Sequence, residues 1–282
     1  AEFTVVIDGV NSVGGISIPP LLKALGVKNV IELYCEPNGK FPHNPEPLPE
    51  NLTALSGAVR ENKADVGFVV DPDVDRLAIV NEDGSMFGEE YTLVAVADYV
   101  LQHTKGNTAS NLSSTKALGE ITRKHGGEYH ASAVGEVNVV AAMKENNAVI
   151  GGEGNGGVIY PEIHYGRDAL VGIALFLTDL AKTGKKCSEL RAGYPTYHIA
   201  KNKIQIGESD KPDEILANIE KKYTDRNDVS VLTIDGVKLE FNDAWVSLRK
   251  SNTEPIIRIY TEADTKEKAE ALTEKIMKDI KA

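Results

Sequence analysis

Val66-Gly67-Phe68-Val69-Val70-Asp71-Pro72-Asp73-Val74-Asp75-Arg76 is the stretch from which the rest of the chain can be read. This apolar run of five residues reads as a buried strand. The three aspartates that follow stand on alternate residues. In an extended segment, side chains at i, i+2 and i+4 share one face, so the spacing predicts three convergent carboxylates. Such a group repels itself unless a cation sits among the oxygens, and hard oxygen donors in this number suit Mg²⁺. A solvated acidic turn is the plain alternative. An EF-hand is disfavoured: Glu82 stands at the twelfth position, but Arg76 replaces the turn glycine and the flanks read as strands. A phosphatase with a nucleophilic aspartate also places D-x-D after a strand, yet a triple acid fits a metal cage better than a nucleophile pair.

Outward from this run the chain alternates strands and helices. Phe3–Ile7 reads as a strand, Ser17–Gly26 as a helix opened by Pro19-Pro20, and Val30–Tyr34 as a strand. Four prolines within 42–49 make a loop, and a helix covers about Leu52 to Asn62. Asn81-Glu82-Asp83-Gly84 signals a hairpin. A second block holds a strand near Ala109–Leu112, helices over Thr115–His125 and Val137–Asn146, and a strand at Ala148–Ile150. A helix after Arg167 then shows Leu170, Ile173, Leu177 and Leu180 on one stripe. From about Ala200 three short strands meet through Asp235-Gly236 and Asn242-Asp243. A last helix follows, with Asp264 and Glu267 as its cap pair. The expected architecture is two similar α/β domains with mixed sheets, 1–104 and 105–197, followed by an α+β domain with an antiparallel sheet, 198–282.

The net charge of −11 argues against nucleic acid or an anionic membrane as the main partner, so an anionic ligand must be met by local arginines. Two isolated thiols, Cys35 and Cys187, point to a reducing compartment. The residues hold no signal-peptide pattern and no apolar run of 18, and a cytoplasmic location is the expectation.

Two further motifs carry chemistry. Gly151-Gly152-Glu153-Gly154-Asn155-Gly156-Gly157 contains the literal spacing of a dinucleotide fingerprint, but Val158–Pro161 continues as an extended segment where that fingerprint requires a helix. A glycine loop that lets its backbone approach a ligand, with Glu153 and Asn155 projecting toward vicinal sugar hydroxyls, is the better reading; Arg167 and His164 could line the same site. The other motif is Arg249-Lys250-Ser251-Asn252-Thr253-Glu254-Pro255, with Arg258 beyond, in a turn between strands. Guanidinium groups, hydroxyls, an amide and backbone N–H groups in one turn make an anion cradle. A polar hairpin turn is its plain alternative.

These three motifs, in this order, resemble the α-D-phosphohexomutase family of phosphomannomutase/phosphoglucomutase and phosphoglucosamine mutase. The resemblance spans nearly the whole chain. It implies that Asp71, Asp73 and Asp75 bind Mg²⁺, with Arg76 beside them, and that Glu153, Asn155 and Arg167 contact the sugar. It also implies that Arg249, Ser251, Asn252, Thr253 and Arg258 hold the non-transferring phosphate. The implied reaction interconverts hexose 1- and 6-phosphates through a phosphoserine and a bisphosphosugar, with a glucose 1,6-bisphosphate-type activator. The family's Thr-Ala-Ser-His-Asn-Pro phosphoserine loop is missing from this sequence. Thr108-Ala109-Ser110-Asn111 lacks its His and Pro, and His43-Asn44-Pro45 lacks its serine. The expectation is a fragment, inactive alone, whose partners are a hexose phosphate and a missing N-terminal domain. The alternative is a non-catalytic sugar-phosphate-binding module. Many relatives have Ser at the position of Asn155 and His at that of Gly157. The form found here resembles the archaeal-type branch, which leaves glucose, mannose and glucosamine all open.

Overall fold

The computed structural model describes residues 2–207, 211–251 and 254–281. The chain divides into two compact units, Ala1–Ala131 with Gly135–Pro195, and Ser132–Val134 with Thr196–Ala282.

The first unit opens with β1 (Thr4–Asp8), α1 (Gly14–Ala24), β2 (Asn29–Leu33), α2 (Thr53–Glu61), β3 (Val66–Val70) and β4 (Leu77–Asn81). These strands form a sheet in the order β2-β1-β3-β4, in which β1 pairs parallel with β2 and β3 while β4 returns antiparallel to β3. Every residue of β3 and β4 is buried, as the uninterrupted apolar run requires. On one face, Leu55 and Val59 of α2 close over Val6, Val69 and Val80.

α3 (Glu89–His103) leads to β5 (Asn107–Asn111), α4 (Ala117–Lys124), β6 (Tyr129–Ser132), α5 (Glu136–Glu145), β7 (Ala148–Glu153), β8 (Gly157–Ile159), α6 (Ala169–Thr183) and α7 (Cys187–Ala192). The order β6-β5-β7-β8, with β5 parallel and β8 antiparallel to β7, repeats the plan of the first sheet. α3 packs on β4 as well as on β7 and β8, which explains why it is buried nearly all round from Tyr91 to Leu101. Phe176 of α6 stands edge-on to Phe68 and Phe87, at centroid distances of 6.1 and 5.2 Å.

The second unit holds β9 (His198–Gln205), α8 (Pro212–Thr224), β10 (Ser230–Leu232), β11 (Val237–Glu240), β12 (Trp245–Lys250), β13 (Ile256–Ala263) and α9 (Lys266–Lys281). Its antiparallel sheet runs β10-β11-β12-β13-β9, and Leu216, Ile219 and Tyr223 of α8 and Ile276 of α9 cover Leu239, Val246, Leu248 and Ile259. Two α/β sheets and an antiparallel α+β sheet are therefore the fold that the sequence pattern implies. Among the described residues no helix is long and apolar enough to cross a membrane.

Local details differ from the sequence reading. α1 begins at Gly14, not Ser17, and Pro19 and Pro20 lie inside it. The bare Gly14-Gly15 pair lets the helix start against the first sheet, since a Cβ on Gly15 would meet the Cys35 backbone at 2.3 Å. The Asp83-Gly84 hairpin forms, with the Asn81 N–H donating to the Ser85 carbonyl at 2.8 Å and the Phe87 N–H to the Ile79 carbonyl at 2.9 Å, but its return arm is an isolated bridge at Met86 and not a strand. α9 is capped by Thr265, whose Oγ1 accepts from the Lys268 N–H at 3.2 Å, while Asp264 pairs with the Lys268 side chain.

Two stability predictions follow from this core. Phe176→Ala is expected to cost about 3–5 kcal/mol in chemical denaturation, because it empties the space between α6 and the first sheet. Asp179 of α6 is buried, and its carboxyl is pushed up to about 6, mainly by that burial and then by Asp98, against the pull of Lys185 and His103. Between about pH 4 and 6 the folded carboxyl keeps a proton that the unfolded one has lost, so stability falls as pH rises through that window. Denaturation of Asp179→Asn across the same range should show a flatter slope than the parent.

Candidate active site

The three aspartates converge, though not in the way that alternation suggests. Residues 71–76 are not a strand. The Val74 N–H bonds back to the Asp71 carbonyl at 3.1 Å, and Val74 sits at φ +59. A tight turn at the C-terminal end of β3 therefore gathers carboxylate oxygens of Asp71, Asp73 and Asp75 within 4.8 Å of one another. Positive φ is costly for a β-branched residue, and such strain persists only where surrounding contacts hold it. Here the Val74 carbonyl accepts from the Ala169 N–H at 3.0 Å, and Ser12 Oγ donates to the Pro72 carbonyl at 2.7 Å.

Asp71 is fully buried and tied down. Its Oδ1 accepts from the N–H groups of Asp75 and Arg76 at 3.1 and 2.9 Å, and its Oδ2 accepts from Arg76 Nε at 2.7 Å. Burial opposes its charge, but the Arg76 backbone, the Asp75 carboxyl and the Arg76 guanidinium outweigh it and hold Asp71 below the usual range. Asp75 moves the other way, up to about 6, through burial and then through the hydrogen bond and charge of Asp71; Arg167 pulls against this. Two carboxyls this close share a proton or take a cation. Asp75 Oδ1 is buried and has no hydrogen-bond partner. Arg76 Nε stands 3.7 Å from it, and three clustered carboxylates with such an oxygen fit a hard divalent cation such as Mg²⁺.

The glycine loop, 154–156, occupies in the second sheet the position that the acid loop occupies in the first: each joins a central strand to its antiparallel edge strand. The two loops meet, since the Leu77 N–H donates to the Gly156 carbonyl at 3.0 Å. Gly156 has φ +89, and a Cβ there would lie 2.3 Å from the Leu77 carbonyl oxygen, so only glycine allows this approach. β8 follows the loop directly, where a dinucleotide fingerprint needs a helix.

Glu153 is buried and well supplied with donors. Its Oε1 accepts from Asn111 Nδ2 at 2.8 Å and from the Gly135 N–H at 3.2 Å, and its Oε2 accepts from Arg167 Nη1 at 2.8 Å. Asn155 Oδ1 accepts from the Gly157 N–H at 3.2 Å. The second arm of Arg167, Nη2, donates to Asp75 Oδ2. One guanidinium thus bridges the acid loop and the glycine loop. Its backbone N–H donates to Glu136 Oε1 at 2.8 Å.

Other sequence candidates fall elsewhere. His164 pairs with Asp168 at 2.9 Å, and Asp168 caps α6 through the N–H groups of Leu170 and Val171, so this histidine serves the helix end. Ser110 is fully buried and bonded to the Tyr129 hydroxyl at 2.9 Å, not exposed on a nucleophile elbow. His43 Nε2 contacts the buried Asp8 at 2.9 Å. Asn111, Glu136 and the Asp8–His43 pair escaped the sequence reading. The one signal available was a polar residue closing a buried strand, as Asp8 closes β1 and Asn111 closes β5.

In the second unit, Arg249 and Arg258 face each other directly across β12 and β13. Like charges at opposed positions destabilise a sheet unless an anion lies between them. Arg249 is 3.9 Å from Asp235, Arg258 is 3.4 Å from Glu254, and Arg258 Nε is buried with no hydrogen-bond partner. Ser251 is buried in the turn, and its Oγ accepts from the Glu254 N–H at 3.3 Å. Asn252 and Thr253 lie outside the described residues.

Comparison with known proteins agrees in order and extent. Profiles for phosphoglucomutase/phosphomannomutase alpha/beta/alpha domain II, alpha/beta/alpha domain III and the C-terminal domain match residues 1–84, 88–197 and 203–279. A phosphoglucomutase/phosphomannomutase of Thermococcus kodakarensis is 38% identical over 267 residues, which are 94% of this chain and 58% of the relative. A probable phosphoglucosamine mutase of Methanopyrus kandleri is 35% identical over 97% of this chain and 60% of its own length. The crystal structure of a phosphoglucomutase/phosphomannomutase family protein from Burkholderia thailandensis superimposes with TM-score 0.88 at 29% identity, covering 99% of this chain and 60% of that one. The chain spans about 60% of the length of such relatives. Three consecutive domain profiles over nearly all of its residues place this chain in the phosphoglucomutase/phosphomannomutase family, the α-D-phosphohexomutases.

Proposed function

We propose that this chain carries the cation, sugar and phosphate recognition of a Mg²⁺-dependent phosphohexomutase. The observation that supports this best is the meeting of acid loop and glycine loop through Arg167, which joins Asp75 to Glu153. In this reading the chain comprises a metal domain (1–104), a sugar domain (105–197) and a phosphate domain (198–282). Asp71, Asp73 and Asp75 hold Mg²⁺, which when bound neutralises charge on the transferred phosphoryl group. Arg76 orients Asp71. Glu153 and Asn155 accept and donate hydrogen bonds to sugar hydroxyls. Arg249, Ser251, Asn252, Thr253 and Arg258 bind the phosphate that is not transferred, with the opposed arginines as its fork.

In this reading turnover passes through a phosphoserine, and this sequence contains no Thr-Ala-Ser-His-Asn-Pro loop to supply one. The chain is therefore proposed to bind a hexose phosphate without converting it, and to complete a cytoplasmic mutase together with the phosphoserine domain and a bisphosphosugar activator. Supplying that domain as a separate polypeptide tests the assignment. Restored interconversion supports it, and continued silence with both parts folded favours a binding module without chemistry.

Calorimetric titration with glucose 1-phosphate, mannose 1-phosphate and glucosamine 6-phosphate, in the presence of Mg²⁺, should rank the substrates. Arg249→Ala is expected to weaken the best of them by about 1.5–3 kcal/mol, the scale of a hydrogen bond to a charged group. Unchanged affinity would remove the arginine turn from the site. Asp73→Asn should lower Mg²⁺ affinity while leaving the thermal transition in place, because Asp73 is exposed. A metal titration identical to the parent's would refute its role as a ligand.

A further inference from the structure

We infer that Arg167 is a positioning residue that couples the cation cluster to the sugar carboxylate. A change at Glu153 alters cation affinity by changing how firmly Arg167 holds Asp75. The inference rests on the proposed reading of the two loops and adds a connection between them.

The geometry is that of a shared counter-ion. Asp75 gives Arg167 only Oδ2, while its Oδ1 is buried without a hydrogen-bond partner. Glu153 gives Arg167 only Oε2, since its Oε1 is fixed by Asn111 and Gly135. Each terminal nitrogen of the guanidinium therefore serves one carboxylate, one on each loop. Glu136 completes the surroundings, 3.8 Å from Nε. A planar fork suits two such partners, which a single ammonium could not bridge in the same way. The route of the side chain is built into the glycine loop, because a Cβ on Gly157 would stand 2.4 Å from Arg167 Cδ.

Charge sets the direction of the effect. A cation drawn to the aspartates competes with Arg167 for Asp75. Removing Arg167 relieves that competition. Removing the charge of Glu153 takes away the arginine's other anchor and leaves the guanidinium to Asp75. Coupling between binding events is reciprocal, so a ligand that engages Glu153 must also change cation affinity.

The test is a double-mutant cycle on this chain, with Mn²⁺ as the probe, free ion followed by electron paramagnetic resonance and folding checked by thermal denaturation. Arg167→Gln should tighten Mn²⁺ binding at least about threefold, and Glu153→Gln should weaken it by a similar factor. Added to Arg167→Gln, the Glu153→Gln change should then alter affinity by less than about twofold, because its intermediary is gone. Equal effects of Glu153→Gln in both backgrounds would mean that Glu153 acts only through its field, and would overturn the coupling while leaving the cation site intact. Arg167→Lys serves as a second background should the glutamine variant unfold, and there too the effect of Glu153→Gln should shrink. A parent chain whose Mn²⁺ binding is indifferent to Asp73→Asn would overturn both the coupling and the cation site on which it rests.

Discussion

Repulsion among carboxylates is the constraint around which the first unit is built. Asp71, Asp73, Asp75, Glu136 and Glu153 gather where two loops meet, in a chain whose net charge is already −11. Burial makes the problem worse, since a desolvated charge costs far more than an exposed one. Three means offset it. Backbone N–H groups and Arg76 surround Asp71, Asn111 and Gly135 hold Glu153, and Arg167 spans the gap between the loops. The donors to Asp71 are local to its own turn, but Arg167 can reach both loops only while the two sheets stand in register.

The repeated sheet plan supplies that register. Orders β2-β1-β3-β4 and β6-β5-β7-β8 each end in an antiparallel edge strand, and the loop before that edge carries one of the two polar motifs in each case. α3 is buried between them and packs on strands of each, so the loops are presented from one packed unit of helix and sheet. The second unit solves the opposite electrostatic problem. Its opposed arginines concentrate positive charge at a hairpin, with Asp235 and Glu254 beside them.

Much of this was legible in the sequence because apolar runs, turn residues and clustered charges each have a local physical meaning. The buried run 66–70 and the acids after it pointed to a cluster of carboxylates, although a turn and not strand alternation brings them together. What stayed hidden depended on contacts distant in sequence. Val74 adopts a positive φ because residue 169 and the Asp71 turn hold it there, which no spacing rule reveals. Glu136 stands just before the helix expected from Val137, and nothing local marks it as the acceptor of the Arg167 N–H. Pro19 and Pro20 suggested a helix start, while the true start at Gly14 followed from close approach to Cys35. The facing of Arg249 and Arg258 required the register of a hairpin whose loop length alone did not fix it.

The missing side chain at position 157 has a consequence for how far a local change would spread. Arg167 passes through the volume that any larger residue at 157 would fill, with its Cδ and Cγ 2.4 and 3.1 Å from where a Cβ would lie. A single methyl group there would displace a side chain that reaches Glu153 and Asp75 at once, so a substitution in the glycine loop would be felt in the acid loop through one guanidinium.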